Sequence, residues 1–152
     1  MNTDIPALLA SIREHRKQLS QLEGKLWWIL DANASAQTKA APGEPPGDLL
    51  VIMEVVAAAH GRATHLMRER ERTASVALMR QTAMTLSRQF TRHSFAVIAD
   101  AFNRSIATVH HSMESIENRL ITEASFFASY TNISAAVKAG LKSYEASQKI
   151  AA

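Results

Sequence analysis

The stretch SFAVIADAFNRSIATVHHSMESI, from Ser94 to Ile116, constrains this chain more than any other. It predicts two helices joined by a tight turn. Ile98, Ala99 and Phe102 put an apolar stripe on the first helix, and small Ala99 suits a close helix crossing. Asn103 follows, and Asn tolerates the left-handed backbone that ends a helix and turns the chain. Ser105 is then an N-cap, and Val109, Ser112 or Met113, and Ile116 recur inward at helical spacing. Small residue, turn Asn and inward Val in this order predict a helix-turn-helix, whose second helix enters the major groove of DNA. An ordinary helical hairpin uses the same kind of turn, so the pattern by itself leaves both readings open.

Charge distribution bears on that choice. The net charge is only +3, but residues 60–119 hold nine arginines, five acids and no lysine, a surplus of four. All six lysines lie outside this segment. Arginine presents a planar fork that grips phosphate or guanine with two hydrogen bonds, which an ammonium cannot do. Arg88, Arg92 and Arg104 are therefore expected to contact DNA. The run Arg68-Glu69-Arg70-Glu71-Arg72 reads equally as a basic loop and as a solvated, ion-paired face.

The rest of the chain predicts an all-α fold, since period-2 alternation is scarce. Residues 1–31 read as an amphipathic helix capped by Thr3 or Asp4. Ile5, Leu8, Ile12, His15, Leu19, Leu22, Leu26 and Ile29 fall on alternating three- and four-residue steps, a heptad seam with one polar member. Such a seam can join a second copy into a homodimer through Ile5–Ile29, or can lie on the chain's own core. Trp27 and Trp28 stand near its end. Residues 32–47 are rich in small residues, Pro and Gly and read as a linker. A buried helix capped by Asp48 should follow and stop at Gly61. Thr73 or Ser75 should open another, with Val76, Met79, Ala83, Leu86 and Phe90 inside. Residues 121–152 extend the chain as a helix towards Tyr130 and a last helix capped by Asn132 or Ser134.

The segments Arg80-Gln81-Thr82-Ala83-Met84, Leu86-Ser87-Arg88-Gln89-Phe90-Thr91 and His93-Ser94 follow one another in order. After them come Ile98-Ala99-Asp100-Ala101-Phe102, Arg104, Thr108-Val109-His110-His111-Ser112 and Ile116. Through these segments residues 49–120 resemble the C-terminal DNA-binding domain of the bacterial replication initiator DnaA. The resemblance implies a Trp-repressor-like helix-turn-helix bundle over residues 48–120 that binds double-stranded DNA and serves replication initiation or transcription control. By the same resemblance Arg80 and Arg88 touch the DNA backbone, and Arg68, Arg70 and Arg72 lie on a loop that reaches the minor groove. The family's Asp-His-Thr run at the start of the recognition helix is replaced by Ser105, Ile106 and Ala107, and the turn is one residue shorter. Its Arg-Lys pair is Glu114-Ser115 here.

Base readout is expected from Ser105, Ile106, Ala107, Thr108, His110 and His111, and backbone contact from Arg80, Arg88, Arg92 and Arg104. Catalysis is not expected. The initiator's ATPase needs a Gly-Lys-Ser/Thr phosphate loop, whereas Gly24-Lys25 precedes Leu26, so no nucleotide is expected. Cysteine is absent, and adjacent His110 and His111 point about 100° apart on a helix, so neither a metal nor another cofactor is expected. No apolar run approaches the roughly 20 residues of a membrane span. With no apolar segment behind a basic start, a cytoplasmic, nucleoid-associated setting is expected. The alternative to a DNA regulator is a helical adaptor that kept the fold and lost DNA reading.

Overall fold

The computed structural model describes residues 4–35 and 43–151, without the side chains of residues 20, 23 and 27–35. The expectations for Trp27, Trp28 and Ile29, and for residues 36–42 of the linker, lie outside that description. Two compact units are present, Met1–Thr38 and Lys39–Ala152.

The first unit is helix α1, Ile5–Ser35. Asp4 caps it, its Oδ1 accepting from the Ala7 amide at 3.4 Å. The seam residues Ile5, Leu8, Ile12, Leu19, Leu22 and Leu26, with neighbouring Leu9, are 47–63% exposed. His15 bonds within the helix, its Nδ1 lying 2.7 Å from the Ser11 carbonyl.

The second unit comprises α2 (Gly47–Ala59), a 3-10 turn (Thr64–Met67), α3 (Ala74–Phe90), α4 (Phe95–Ala101), α5 (Ile106–Thr122) and α6 (Ala124–Ala151). No strand occurs among the described residues. Helix α2 is apolar nearly all round because it packs against α3 on one side and α6 on another. Leu49, Ile52, Met53 and Val56 join Met79, Leu86, Phe95, Phe102, Ile116 and Val137 in one core. Gly61 ends α2 as expected, at φ +62, with the Arg62 amide bonding back to the Ala57 carbonyl at 3.0 Å.

Three boundaries differ from the sequence reading, the first being that α1 continues to Ser35, four residues into the expected linker. Helix α2 begins two residues early, with Pro46 at its N-cap position, and Asp48 stands in its first turn rather than capping it. The Asp48 carboxylate accepts from the Leu49 amide at 2.9 Å and faces His93 instead. At the other end, α5 stops at Thr122 and α6 is one helix from Ala124 to Ala151, with no new cap at Asn132 or Ser134. Residues 124–151 hold no proline, and Thr131 bonds back to the Phe127 carbonyl at 2.8 Å, so its hydroxyl serves the running helix. Helix α6 covers α2 closely enough that Gly140 faces Val51 and Val55.

Candidate nucleic-acid interface

The turn between α4 and α5 has the expected chemistry. Ser94 caps α4 through the Val97 amide at 3.2 Å. Asn103 adopts φ +52, the left-handed conformation. The Asn103 amide bonds the Asp100 carbonyl and the Arg104 amide the Ala99 carbonyl, which closes the end of α4. Ser105 caps α5, accepting from the Thr108 amide at 3.2 Å. Buried Ala99 and Val109 lie where α4 and α5 pack together.

Helix α5 sorts the six expected readers by its own periodicity. Val109, Ser112 and Ile116 are buried, so positions beside them turn partly inward. Ser105, Ala107 and His111 are exposed. Ile106 and Thr108 are half-buried, and Ile106 packs on the core. The hydroxyls of Ser105 and Thr108 lie 2.9 Å apart and bond each other. His110 is half-buried, with its ring stacked on Phe95 at a centroid separation of 4.1 Å. The outward surface at the start of α5 is therefore small: Ser105, Ala107 and His111, with Thr108 at its edge.

The arginines divide in the same way. Arg92 is exposed. Arg88 is half-buried, donates from Nη1 to the His93 carbonyl at 2.7 Å, and sets its guanidinium 4.5 Å from the Phe95 ring centroid. Arg104 is half-buried and donates to its neighbour Asn103's carbonyl at 2.8 Å and to the Glu69 carbonyl.

Arg80 differs most from the sequence reading. Only 7% of it is exposed. Its Nε donates to the Met67 carbonyl at 2.8 Å, and its Nη2 meets the carbonyls of Leu66, Glu69 and Glu71, each at 3.1 Å. A buried guanidinium needs such acceptors, because an unpaired buried charge is costly. Burial pushes its pKa below the usual arginine value, and the Arg104 charge adds to this while Glu71 opposes it. In this position Arg80 faces protein carbonyls rather than solvent. The signal was present in the sequence: Val76, Arg80, Ala83 and Ser87 share one helical stripe, and all four are buried.

The loop after the 3-10 turn presents Arg68, Arg70 and Arg72 as exposed side chains, with Glu69 exposed among them and Glu71 half-buried. The loop lies against the helix-turn-helix turn, since Asn103 Nδ2 donates to the Arg68 carbonyl at 3.3 Å. Arg62, which the sequence reading left unassigned, reaches Ser75 at 3.0 Å instead. Among the described residues no cluster of His, Asp and Glu could hold a metal ion, and no helix is long and apolar enough to cross a membrane.

Comparison with known proteins fits this geometry. The family model of the bacterial DnaA protein helix-turn-helix matches residues 50–116, which span α2 to most of α5. The chromosomal replication initiator protein DnaA of Desulfotalea psychrophila is 33% identical over 88 residues. That alignment covers 58% of this chain and 18% of the relative's length. Residues 50–116, with their buried α2, left-handed Asn103 and Ser105-capped α5, are thus similar to the helix-turn-helix of the bacterial DnaA protein.

Proposed function

We propose that this protein binds double-stranded DNA by setting the start of α5 in the major groove, and that it regulates replication initiation or transcription. The observation that carries this reading is the joint presentation of two surfaces beside one turn. Ser105, Ala107 and His111 are exposed at the start of α5, and the loop bearing Arg68, Arg70 and Arg72 is bonded to Asn103 of the same turn. The start of a helix also favours anions through its free amides and its dipole. With only small hydroxyl and methyl groups at the tip of α5, base readout rests on Ala107, Thr108 and His111, and favours thymine methyls and A·T-rich sites. Arg92 and the loop arginines supply phosphate contact, so affinity falls steeply with salt.

Ala107→Glu tests the docking. Acid in the first turn of a helix is neutral or favourable for folding, but here it would face phosphates. The variant should fold like the parent and lose duplex binding. Unchanged binding would remove α5 from the interface.

The exposed apolar seam of α1 supports self-association through a second copy, which would give the molecule two reading heads. Sedimentation of Leu19→Glu against the parent checks this, and an unchanged oligomeric state would refute it. One observation favours the adaptor reading instead: Arg80, Arg88 and Arg104 all donate to protein carbonyls. Duplex affinity that is absent at low salt would select that reading.

A further inference from the structure

The 66–71 segment is held by three side chains that come from elsewhere in the fold. Arg80 on α3 takes the carbonyls of Leu66, Met67, Glu69 and Glu71. Asn103 takes the Arg68 carbonyl, and Arg104 takes that of Glu69 again. Five of six consecutive residues thus have their carbonyl oxygens turned towards donors of the protein. Carbonyl oxygens carry partial negative charge, and a loop that exposed them towards a phosphate backbone would be repelled. Turned inward, they leave the exposed side chains Arg68, Arg70 and Arg72 as the outward face of the loop.

We infer that Arg80 is a positioning residue for DNA binding, and that with Asn103 and Arg104 it clasps the arginine loop to the turn that orients α5. This inference rests on the DNA-binding reading above and adds to it. Arg80 supplies no phosphate contact of its own. Its fork fixes the loop backbone before DNA arrives, so the ordering of loop and helix is not charged against affinity at binding. Asn103 has two functions here. Its left-handed φ makes the turn, and its side-chain amide ties the turn to the loop. Lysine cannot replace Arg80, because one ammonium cannot span four carbonyls that lie around a planar fork.

The experiment uses the full chain with Arg80→Met, Arg80→Lys and Asn103→Gly, the last keeping the left-handed turn without its amide. Each variant is made alone and in a background of Arg68→Ala, Arg70→Ala and Arg72→Ala, and circular dichroism checks the fold. Two quantities are read: the rate of tryptic cleavage in the 68–72 loop, for the variants that keep its arginines, and anisotropy of a labelled duplex across salt concentrations, for all of them. Arg80→Met should speed cleavage and weaken duplex binding about tenfold, yet add less than about twofold once the loop arginines are gone. Arg80→Lys should recover only part of the loss. Asn103→Gly should shift both readings in the same direction by less, and it carries the test if Arg80→Met does not fold.

Full recovery of affinity and salt slope by Arg80→Lys would mean that Arg80 acts as a charge on phosphate, which overturns the clasp. So would unchanged cleavage in Arg80→Met, or losses that simply add in the loop background. A parent chain that binds no duplex would sink the DNA-binding reading and this inference with it. A parent that binds while Arg80→Met and Asn103→Gly match it would sink this inference alone.

Discussion

The Nε2 atom of His93 lies 2.8 Å from Oδ2 of Asp48, across 45 positions of sequence. The contact pins the first turn of α2 to the turn that precedes the helix-turn-helix. Arg88 holds the same turn from α3, through the His93 carbonyl. The α3–α4 connection is therefore fixed by side chains from two helices. Both partners of the pair are partly exposed, so its contribution is modest, about 1 kcal/mol. His93→Ala should lower the unfolding free energy by that amount, read in urea as a lower midpoint at an unchanged slope of the transition. An unchanged midpoint would show that Arg88 alone sets this turn.

The N-cap of α5 allows a second expectation. Ser105 is the cap residue whose hydroxyl accepts from the Thr108 amide, and the same hydroxyl meets that of Thr108. Ser105→Ala should cost about 1 kcal/mol of stability. Ser105→Asp should restore it, because a carboxylate caps as well and suits the helix dipole, yet it should weaken duplex binding. Equal binding by both variants would mean that this end of α5 does not approach phosphates.

Helix α6 should be integral to the second unit. A Cβ on Gly140 would stand 3.2 Å from Val55 Cγ2 and 3.3 Å from Val51 Cγ1. A larger side chain must push α6 off α2 or distort both. Gly140→Leu is expected to destabilise by about 1–3 kcal/mol in chemical denaturation. If it left stability intact, α6 would be free to shift on α2.

Alkaline pH should loosen the same helix. Tyr130 is buried, its hydroxyl donates to Gln89 at 3.1 Å, and burial pushes its pKa up to about 12. In the unfolded chain the group ionises near about 10. The folded state favours the neutral phenol, so this contribution is fully present below about pH 10 and is lost as pH rises towards about 12. Tyr130→Phe should flatten the fall in denaturation midpoint across that window. An equally steep fall in the variant would assign it to other groups.

Much of the fold was legible in the sequence, and local chemistry explains why. Asn103, Ser105, Ser94 and Gly61 each fill a backbone position that few residue types suit, so their effects are local and readable. The single helix α6 was misread because Asn132 and Ser134 are cap residues by type. Nothing in their own neighbourhood reveals that the helix runs through them. The candidate interface was legible only in outline. Ser105, Ala107, His111, Arg92 and the loop arginines are exposed as expected, whereas Ile106, Thr108 and His110 turn partly inward. The resemblance assigns Arg80 to the DNA backbone, although its stripe on α3 runs through Val76, Ala83 and Ser87 into the core. What hid its role is that its acceptors are carbonyls 9 to 14 residues away, in a loop whose path no periodicity predicts.

Helix α5 and the arginine loop are proposed to bind duplex DNA together. The most direct test is fluorescence anisotropy of the full chain with two labelled duplexes, one carrying the initiator's box and one scrambled, at low and near-physiological salt. Salt-sensitive binding to duplex is expected, with little preference for the box because Ser105, Ile106 and Ala107 replace the family's reading run. Failure to bind either duplex at low salt would contradict it.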